Sequence, residues 1–378
     1  MNIFYEDSMP YAAEFFQDLG ECQVFSHKTI HPEQLRDADV LLVRSTTKVN
    51  AALLTHASHL KFVGTATAGT NHVDLNYLAQ RNIAFHDAGG CNAVAVAEYV
   101  ISALFVMAEK LAWQLADKTV GIVGAGHVGS ALQGKLAALG IAYKLCDPPL
   151  QAAGDHRAFV GLDEIMECDV ITLHVPYVTT GPHATQHLFD VQRLSQLSEQ
   201  QVLINACRGE VVDNNALLAL YKQGKPCHVV LDVWENEPAI NLALVPLVDL
   251  ATAHIAGHTI EGKARGTSML YQALCRHFAL PENKRLDDYL PQVKHALTFS
   301  AAQPFWPAVR DLIWQVYDIR HDSEHFKQQC SSAEQFGYIR KHYPIRREFS
   351  AMPLNTGNFA QSEAIYALGF TSTTLSSL

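Results

Sequence analysis

What this sequence lacks narrows it first. No segment offers the roughly 18 uninterrupted apolar residues of a membrane-spanning helix, and the opening MNIFYEDSMP has neither the basic start nor the apolar run of a secretory leader. Both absences point to a cytoplasmic protein with no membrane partner. Cysteine is present but follows no pairing pattern. Cys22, Cys91, Cys146, Cys168, Cys207, Cys227, Cys275 and Cys330 include no CxxC, which speaks against a disulfide framework or zinc knuckle and for thiols in a reducing compartment. Positive charge is in short supply as well. With 28 Lys and Arg against 38 Asp and Glu, the net charge of −10 argues against broad contact with nucleic acid or an anionic membrane. An anionic small substrate would have to be met by local arginines. There is no internal repeat, and the only biased run is the Ser/Thr-rich extreme C-terminus.

What is present reads as a folded enzyme of two or three domains. The chain has 378 residues, 48% hydrophobic and 17% charged, and a domain takes roughly 150. Short β-rich runs alternate with helical stretches: NIFY near residue 3, ADVLLVRS near 40, LKFVGTA near 62 and NIAFHDA near 84. This alternation predicts an α/β fold with a parallel sheet covered on both faces. A breaker-poor apolar stretch predicts one long, buried helix over 92–116. A second series then supplies six strands, at 119–126, 142–149, 169–176, 202–209, 228–235 and 249–257, as a doubly wound nucleotide-binding domain requires. Another helix follows at about 260–280. From residue 286 the composition shifts, with 14 of the 34 aromatic residues in the last 93 positions. This fits a small core that is completed by association.

Gly124-Ala125-Gly126-His127-Val128-Gly129 matches GxGxxG directly after an apolar strand and before a helical run. The pattern alone is weak, but its context gives each glycine a task. The first permits the tight turn, the second lets backbone approach a pyrophosphate, and the third lets helix and strand pack closely. Asp147 ends the next strand, 18 residues beyond Gly129. There it can accept hydrogen bonds from an adenosine ribose and would repel a 2′-phosphate, which favours NAD over NADP. As an alternative it starts the turn at Pro148-Pro149.

Three further residues lie at carboxyl ends of strands of the same sheet: Arg208 in NACRGEVVD, Glu237 in DVWENEP and His254 in TAHIAG. Ligands of open α/β sheets bind at that edge. Oxidising a secondary alcohol needs a base for the hydroxyl proton while hydride leaves, and histidine suits that role. A carboxylate on its other nitrogen fixes the tautomer, and an arginine holds a substrate carboxylate. Taken singly, Arg208 and Glu237 could be surface charges and His254 a buried structural histidine. Histidines spaced by four (His254/His258, His183/His187, His321/His325) lack a third ligand nearby, so no metal is expected.

Together, AGTNHVD at 68–74, the glycine fingerprint, NACRGEVVD, DVWENEP and AHIAGHT, in that order, resemble the D-isomer-specific 2-hydroxyacid dehydrogenase family over residues 38–280. The resemblance implies a flavodoxin-like substrate-binding domain (1–93 and 256–285), an NAD-binding Rossmann domain (94–255) and a small α+β C-terminal dimerisation domain (286–378). It gives the catalytic roles to Arg208, Glu237 and His254, and it adds Val175, Ala206, Cys207, Asp232 and Gly257 to the cofactor-binding residues. For Asp232, capping of a loop is the competing reading. VRSTTKVN, GGCNAVAVAEYV, GKARGTSM and the C-terminal FGYIRKHYPIRREF resemble, more narrowly, a branch acting on a phosphorylated four-carbon 2-hydroxy acid, as a homodimer. By position, Ser45 and Thr67 become substrate contacts. His258 stands where that branch would have tyrosine. Arg44, with Arg346 or Arg347, is the expected clamp for the phosphate. Two rivals remain open at this point: the same chemistry on another acid such as 3-phosphoglycerate, and an NAD-sensing interaction protein on the same fold.

Overall fold

The first strand, β1 (Asn2–Glu6), sends alternate side chains into two different cores. Ile3 and Tyr5 join Val40, Leu42 and Phe62 on one face, while Phe4 joins Leu41, Val43 and Val63 on the other. A strand covered on both sides needs apolar residues at every position, so these strands read as continuous hydrophobic runs. The computed structural model that shows this describes residues 1–224, 227–293 and 297–372; the last part of the Ser/Thr-rich tail lies outside the described residues.

The chain divides into two units, Met1–Asn92 with Thr259–Gln292, and Ala93–His258 with Val293–Leu378. In the first, β1, β2 (Glu21–Phe25), β3 (Val40–Val43), β4 (Phe62–Thr65) and β5 (Ala84–Asp87) form a parallel sheet in the order β2-β1-β3-β4-β5. That is the flavodoxin-like order. The helix Ile260–His277, capped at its N-terminus by the Thr259 hydroxyl, covers one face with Leu270, Tyr271 and Leu274.

The second unit begins with the helix Ala93–Lys110, in which 15 of 18 residues are buried. A helix apolar all round belongs in the middle of its domain. Behind it lies a parallel sheet of β6 (Thr119–Val123), β7 (Ala142–Cys146), β8 (Val170–Leu173), β9 (Val202–Asn205), β10 (His228–Leu231) and β11 (Leu250–Ala251), ordered β11-β10-β9-β8-β6-β7. A single parallel bridge, Leu145 to Phe159, lies outside β7. Counting that bridge as a vestigial strand gives the doubly wound dinucleotide-binding order 3-2-1-4-5-6, with β11 as a seventh strand at the far edge.

The segment from Val293 onward packs on this unit. Helices Phe305–Val316, Ile319–Gln329 and Ala333–Lys341 bring Val309, Leu312, Ile313, Phe326 and Phe336 into its core. Ser102 of the long helix donates to the Tyr317 carbonyl (2.9 Å), and Ser323 accepts from the Ala251 amide (3.0 Å). No helix among the described residues is long and apolar enough to cross a membrane.

Candidate active site

The second sheet reverses winding at β6, between β7 and β8, and the glycine-rich loop leaves β6 there. Gly124 has φ +91°, and a Cβ on it would lie 2.6 Å from the His174 carbonyl after β8. A Cβ on Gly129 would lie 2.1 Å from the Gly124 carbonyl oxygen. These two glycines are required by the protein's own packing. Gly126 differs, because nothing of the protein lies within 4 Å of the Cβ it lacks. It stands exposed at the N-cap of the helix His127–Ala138 with no side-chain cap. An open cradle over the first amides of a twelve-residue helix fits a dinucleotide pyrophosphate. Both His127 and Val128 belong to that first turn, His127 exposed and Val128 half-buried.

Asp147 sits at the end of β7. One carboxylate oxygen accepts from the Ala125 amide (2.8 Å), the other from the Leu150 amide (3.0 Å). It is therefore both the helix cap that Pro148-Pro149 suggested and a brace on the glycine loop; further lone pairs of its oxygens can accept from a ribose. Arg157 completes the bracing, donating to the Ala125 carbonyl (2.9 Å) and the Ser130 hydroxyl (2.9 Å). Nothing in the sequence marked it, because its position depends on the irregular 153–161 segment.

The loops after β8, β9 and β10 bring the next residues to the same edge. Val175 follows β8 and is half-buried. After β9, the Asn205 side chain donates to the Arg208 carbonyl (2.9 Å) and accepts from the Cys207 amide (3.2 Å), folding Ala206-Cys207-Arg208 into a fixed turn. Burial pushes the Cys207 thiol up to about 11, so it stays protonated and any polar contact it offers is neutral or backbone. Arg208 is half-buried, and its guanidinium donates to the Cys207 carbonyl at 2.7 Å. A Cβ on Gly209 would overlap the Trp234 carbonyl at 1.9 Å, which shows how closely this turn lies on the loop carrying Glu237.

Glu237 accepts from the Trp234 amide (2.9 Å) with one oxygen and meets His254 Nδ1 with the other at 2.7 Å. Burial pushes its carboxyl up, but the His254 hydrogen bond and charge, the Trp234 amide and the more distant Arg340 outweigh that and hold it below the ordinary range. An ionised carboxylate accepts only, so His254 Nδ1 carries the proton and Nε2 holds the lone pair. The imidazole is about a quarter exposed (28%).

His254 has the left-handed backbone φ of +56°, uncommon for a side chain of this size. Asp232 holds it there. Its carbonyl accepts from the His254 amide (2.7 Å), and its carboxylate takes the Thr252 hydroxyl (2.7 Å) and the amides of Ile255 (2.7 Å) and Ala256 (3.0 Å). Asp232 is 1% exposed. With three donors on a buried carboxylate it braces the histidine turn, as the loop-capping reading expects. Gly257 and His258 follow, both half-buried, and the His258 ring lies edge-on to Tyr343.

Arg44 and Ser45 follow β3 and Thr67 follows β4, all in the first unit. Glu6, fully buried, accepts from the Ser8, Thr46 and Thr47 hydroxyls and the Arg44 amide, and so shapes the loop that presents exposed Ser45. The Thr67 hydroxyl donates to the Gly69 carbonyl (2.9 Å). Arg346, expected as a phosphate clamp, is 6% exposed and donates to the carbonyls of Ala95 (3.0 Å) and Ala256 over the face of Tyr317. Burial and the two carbonyl bonds of Nη2 argue against contact between this guanidinium and a solvent-borne phosphate. Arg347, the next residue, is half-buried. Among the described residues, two groups place three ligand-type atoms near one another, Glu6/Asp7/His27 and His187/Asp213/Glu235. In the second, Glu235 already accepts from His187 (2.7 Å) and the Asn214 amide (2.7 Å), so the cluster ties three loops together by hydrogen bonds.

A family model described as the NAD-binding domain of D-isomer-specific 2-hydroxyacid dehydrogenases matches residues 98–259, and a second, described only as a domain of unknown function, matches 289–369. The chain is 61% identical over 371 residues to the erythronate-4-phosphate dehydrogenase of Pseudoalteromonas atlantica, covering 98% of this chain and 99% of that one. It is 46% identical over 392 residues to that of Colwellia psychrerythraea, covering 98% and 99%. Among solved structures, the NAD-bound 3-phosphoglycerate dehydrogenase of Entamoeba histolytica has a TM-score of 0.62 at 22% identity, over 75% of this chain and 99% of that one. D-lactate dehydrogenase from Aquifex aeolicus, complexed with NAD and lactic acid, gives 0.58 at 24% identity, over 74% and 96%. At these identities the structures share the fold.

Proposed function

The chain belongs to the erythronate-4-phosphate dehydrogenase family, within the NAD-dependent D-isomer-specific 2-hydroxyacid dehydrogenases, and we propose that it oxidises 4-phospho-D-erythronate to 2-oxo-3-hydroxy-4-phosphobutanoate on the route to pyridoxal 5′-phosphate. The observation that carries the catalytic reading is the 2.7 Å contact of His254 Nδ1 with Glu237. NAD, held at the glycine loop, supplies the hydride acceptor. Nε2 of His254 takes the C2 hydroxyl proton as the C2 hydride leaves and the carbonyl forms. Glu237 stabilises the resulting imidazolium, because its carboxylate already accepts from Nδ1. Arg208 pairs with the substrate carboxylate and polarises the nascent ketone.

In this reading Ser45, Thr67 and His258 hydrogen-bond the acid. Arg44 and Arg347 supply the cations for the 4-phosphate, and Val175, Ala206, Cys207, Asp232 and Gly257 line the cofactor. The C-terminal segment, 286–378, forms a homodimer contact, and the enzyme works in the cytoplasm. Other 2-hydroxy acids and a non-catalytic NAD sensor are the rivals; the intact histidine–carboxylate pair speaks against the sensor. The test is NADH formation from 4-phospho-D-erythronate, 3-phosphoglycerate and glycerate side by side, with wild type and His254→Ala. Turnover of the phosphorylated four-carbon acid alone, lost in the variant, is expected. Full activity in His254→Ala would refute the base assignment, and preference for 3-phosphoglycerate would refute the substrate.

A further inference from the structure

The matched region of unknown function contains Arg346, and its side chain leads directly to the histidine turn. One nitrogen, Nη2, donates both to the Ala95 carbonyl, at the start of the long helix, and to the Ala256 carbonyl, two residues past His254. The guanidinium carbon lies 4.2 Å from the centre of the Tyr317 ring, and Asp322 and Glu98 are nearby counter-charges. Asp322 is in turn held by the Tyr343 hydroxyl (2.6 Å). A cation buried this completely would be expensive without such partners.

Ala256 is therefore gripped through both peptide groups that flank it. Its amide belongs to Asp232, inside the nucleotide-binding sheet, and its carbonyl to Arg346, from the C-terminal segment. Asp232 alone fixes the amide side of residues 254–256, and those amides lie on a backbone that His254 forces into the left-handed region. A hydrogen bond to the Ala256 carbonyl holds the next peptide, at the far side of the turn, and so resists a rearrangement of the turn that would swing the imidazole away from Glu237.

We propose that Arg346 is a positioning residue for catalysis: the C-terminal segment sets the orientation of His254 by clamping the Ala256 carbonyl. The inference rests on His254 being the base, which the His254→Ala comparison tests independently.

The experiment compares Arg346→Met and Arg346→Lys with Phe370→Leu in the intact chain. Phe370 stacks on Phe349 in the same segment and serves as a stability control. Kinetic constants are read with thermal unfolding and with the proton resonance of His254 Nδ1. Arg346→Met is expected to lower kcat by one to two orders of magnitude, since small misplacement of a catalytic group can reduce rate by about 10²-fold. Its KM for NAD should change less than about twofold and the Nδ1 resonance should shift; the lysine variant should fall between. Phe370→Leu should lose stability while keeping kcat. Wild-type kcat in Arg346→Met, or an equal kcat loss in Phe370→Leu at matched stability, overturns the proposal. If the methionine variant does not fold, Arg346→Lys decides: lowered kcat with unchanged KM for NAD supports the clamp, and unchanged kcat refutes it. Activity lost in His254→Ala but intact in Arg346→Met defeats this inference alone.

Discussion

The imidazole of His254 does its work only if the Nδ1 proton stays with Glu237. Replacing Glu237 by Gln leaves size and packing nearly intact but lets an amide donor face Nδ1, which favours the wrong tautomer. In comparable triads such a change lowers kcat by about 10⁴. A steady-state assay should show a loss of that order with KM for NAD little altered. His187 makes a different kind of pair. Its hydrogen bond to Glu235, reinforced by Asp213 and Asp190, raises its pKa above the ordinary 6.5 against a smaller opposing effect of burial. A group whose folded pKa is raised stabilises fully below its unfolded value and loses that contribution as pH rises through the folded one. The stability difference between wild type and His187→Gln should therefore be greatest below pH 6.5 and shrink above it, as urea midpoints across that range would show. With 38% of the side chain exposed, solvent screening keeps the effect small. The pairing of His187 with Glu235 and the bracing by Arg157 were not legible in the sequence because each bonds across loops whose paths no periodicity describes. Arg208, Glu237 and His254 were legible because each directly follows a recognisable apolar strand.

Among the elements, the strands announced themselves wherever both faces are covered. β2 did not, since its Glu-Cys-Gln-Val-Phe is mostly exposed at a sheet edge and lacks a continuous apolar run. The long helix was expected to reach residue 116 but ends at Lys110. The Trp113 amide turns back to the Ala108 carbonyl (2.8 Å) around Ala112 at φ +53°. Such a reversal usually advertises itself with glycine, and here alanine makes it. The glycine loop separates structural from ligand-facing glycine. Gly129→Ala must displace the Gly124 carbonyl and should unfold several degrees lower. Gly126→Ala meets open space, so it should lose less stability than Gly129→Ala. Its NAD affinity should fall tenfold or more, about 1.4 kcal/mol, measured by calorimetric titration. Equal affinity in Gly126→Ala would mean that the pyrophosphate does not approach this position.

At the scale of the molecule, the C-terminal segment is part of the nucleotide-binding unit's own interior. Lys135, after the glycine loop, reaches Glu98 (3.0 Å) and the Leu368 carbonyl (2.6 Å), and the Phe349 amide donates to the same Glu98 carboxylate. Both charged side chains are almost fully buried, and breaking such a set strands a charge in the core. A chain ending at residue 288 would lose these partners and bare the apolar surface under Leu312, Ile313 and Phe326. It should emerge from size-exclusion chromatography as aggregate; a soluble, NAD-binding truncation would contradict that expectation. The shift in aromatic content at residue 286 made the segment visible in the sequence. Its attachment was not visible, because Ser102, Glu98 and Arg346 are polar residues whose burial only the packed chain reveals.

The sheet edge at β11 carries one more consequence, for biosynthesis. β11 ends at Ala251, and Ile319 begins the helix whose Ser323 and Lys327 cover it, 68 residues later (319 minus 251). At about 5–20 residues per second on the ribosome, the open strand precedes its cover by roughly 3–14 seconds. Throughout that interval a nascent chain presents unpaired backbone beside an apolar face. Slowed synthesis or a stalled ribosome in this stretch would lengthen the exposure, so the codons between these two points bear on yield as much as any residue in the core.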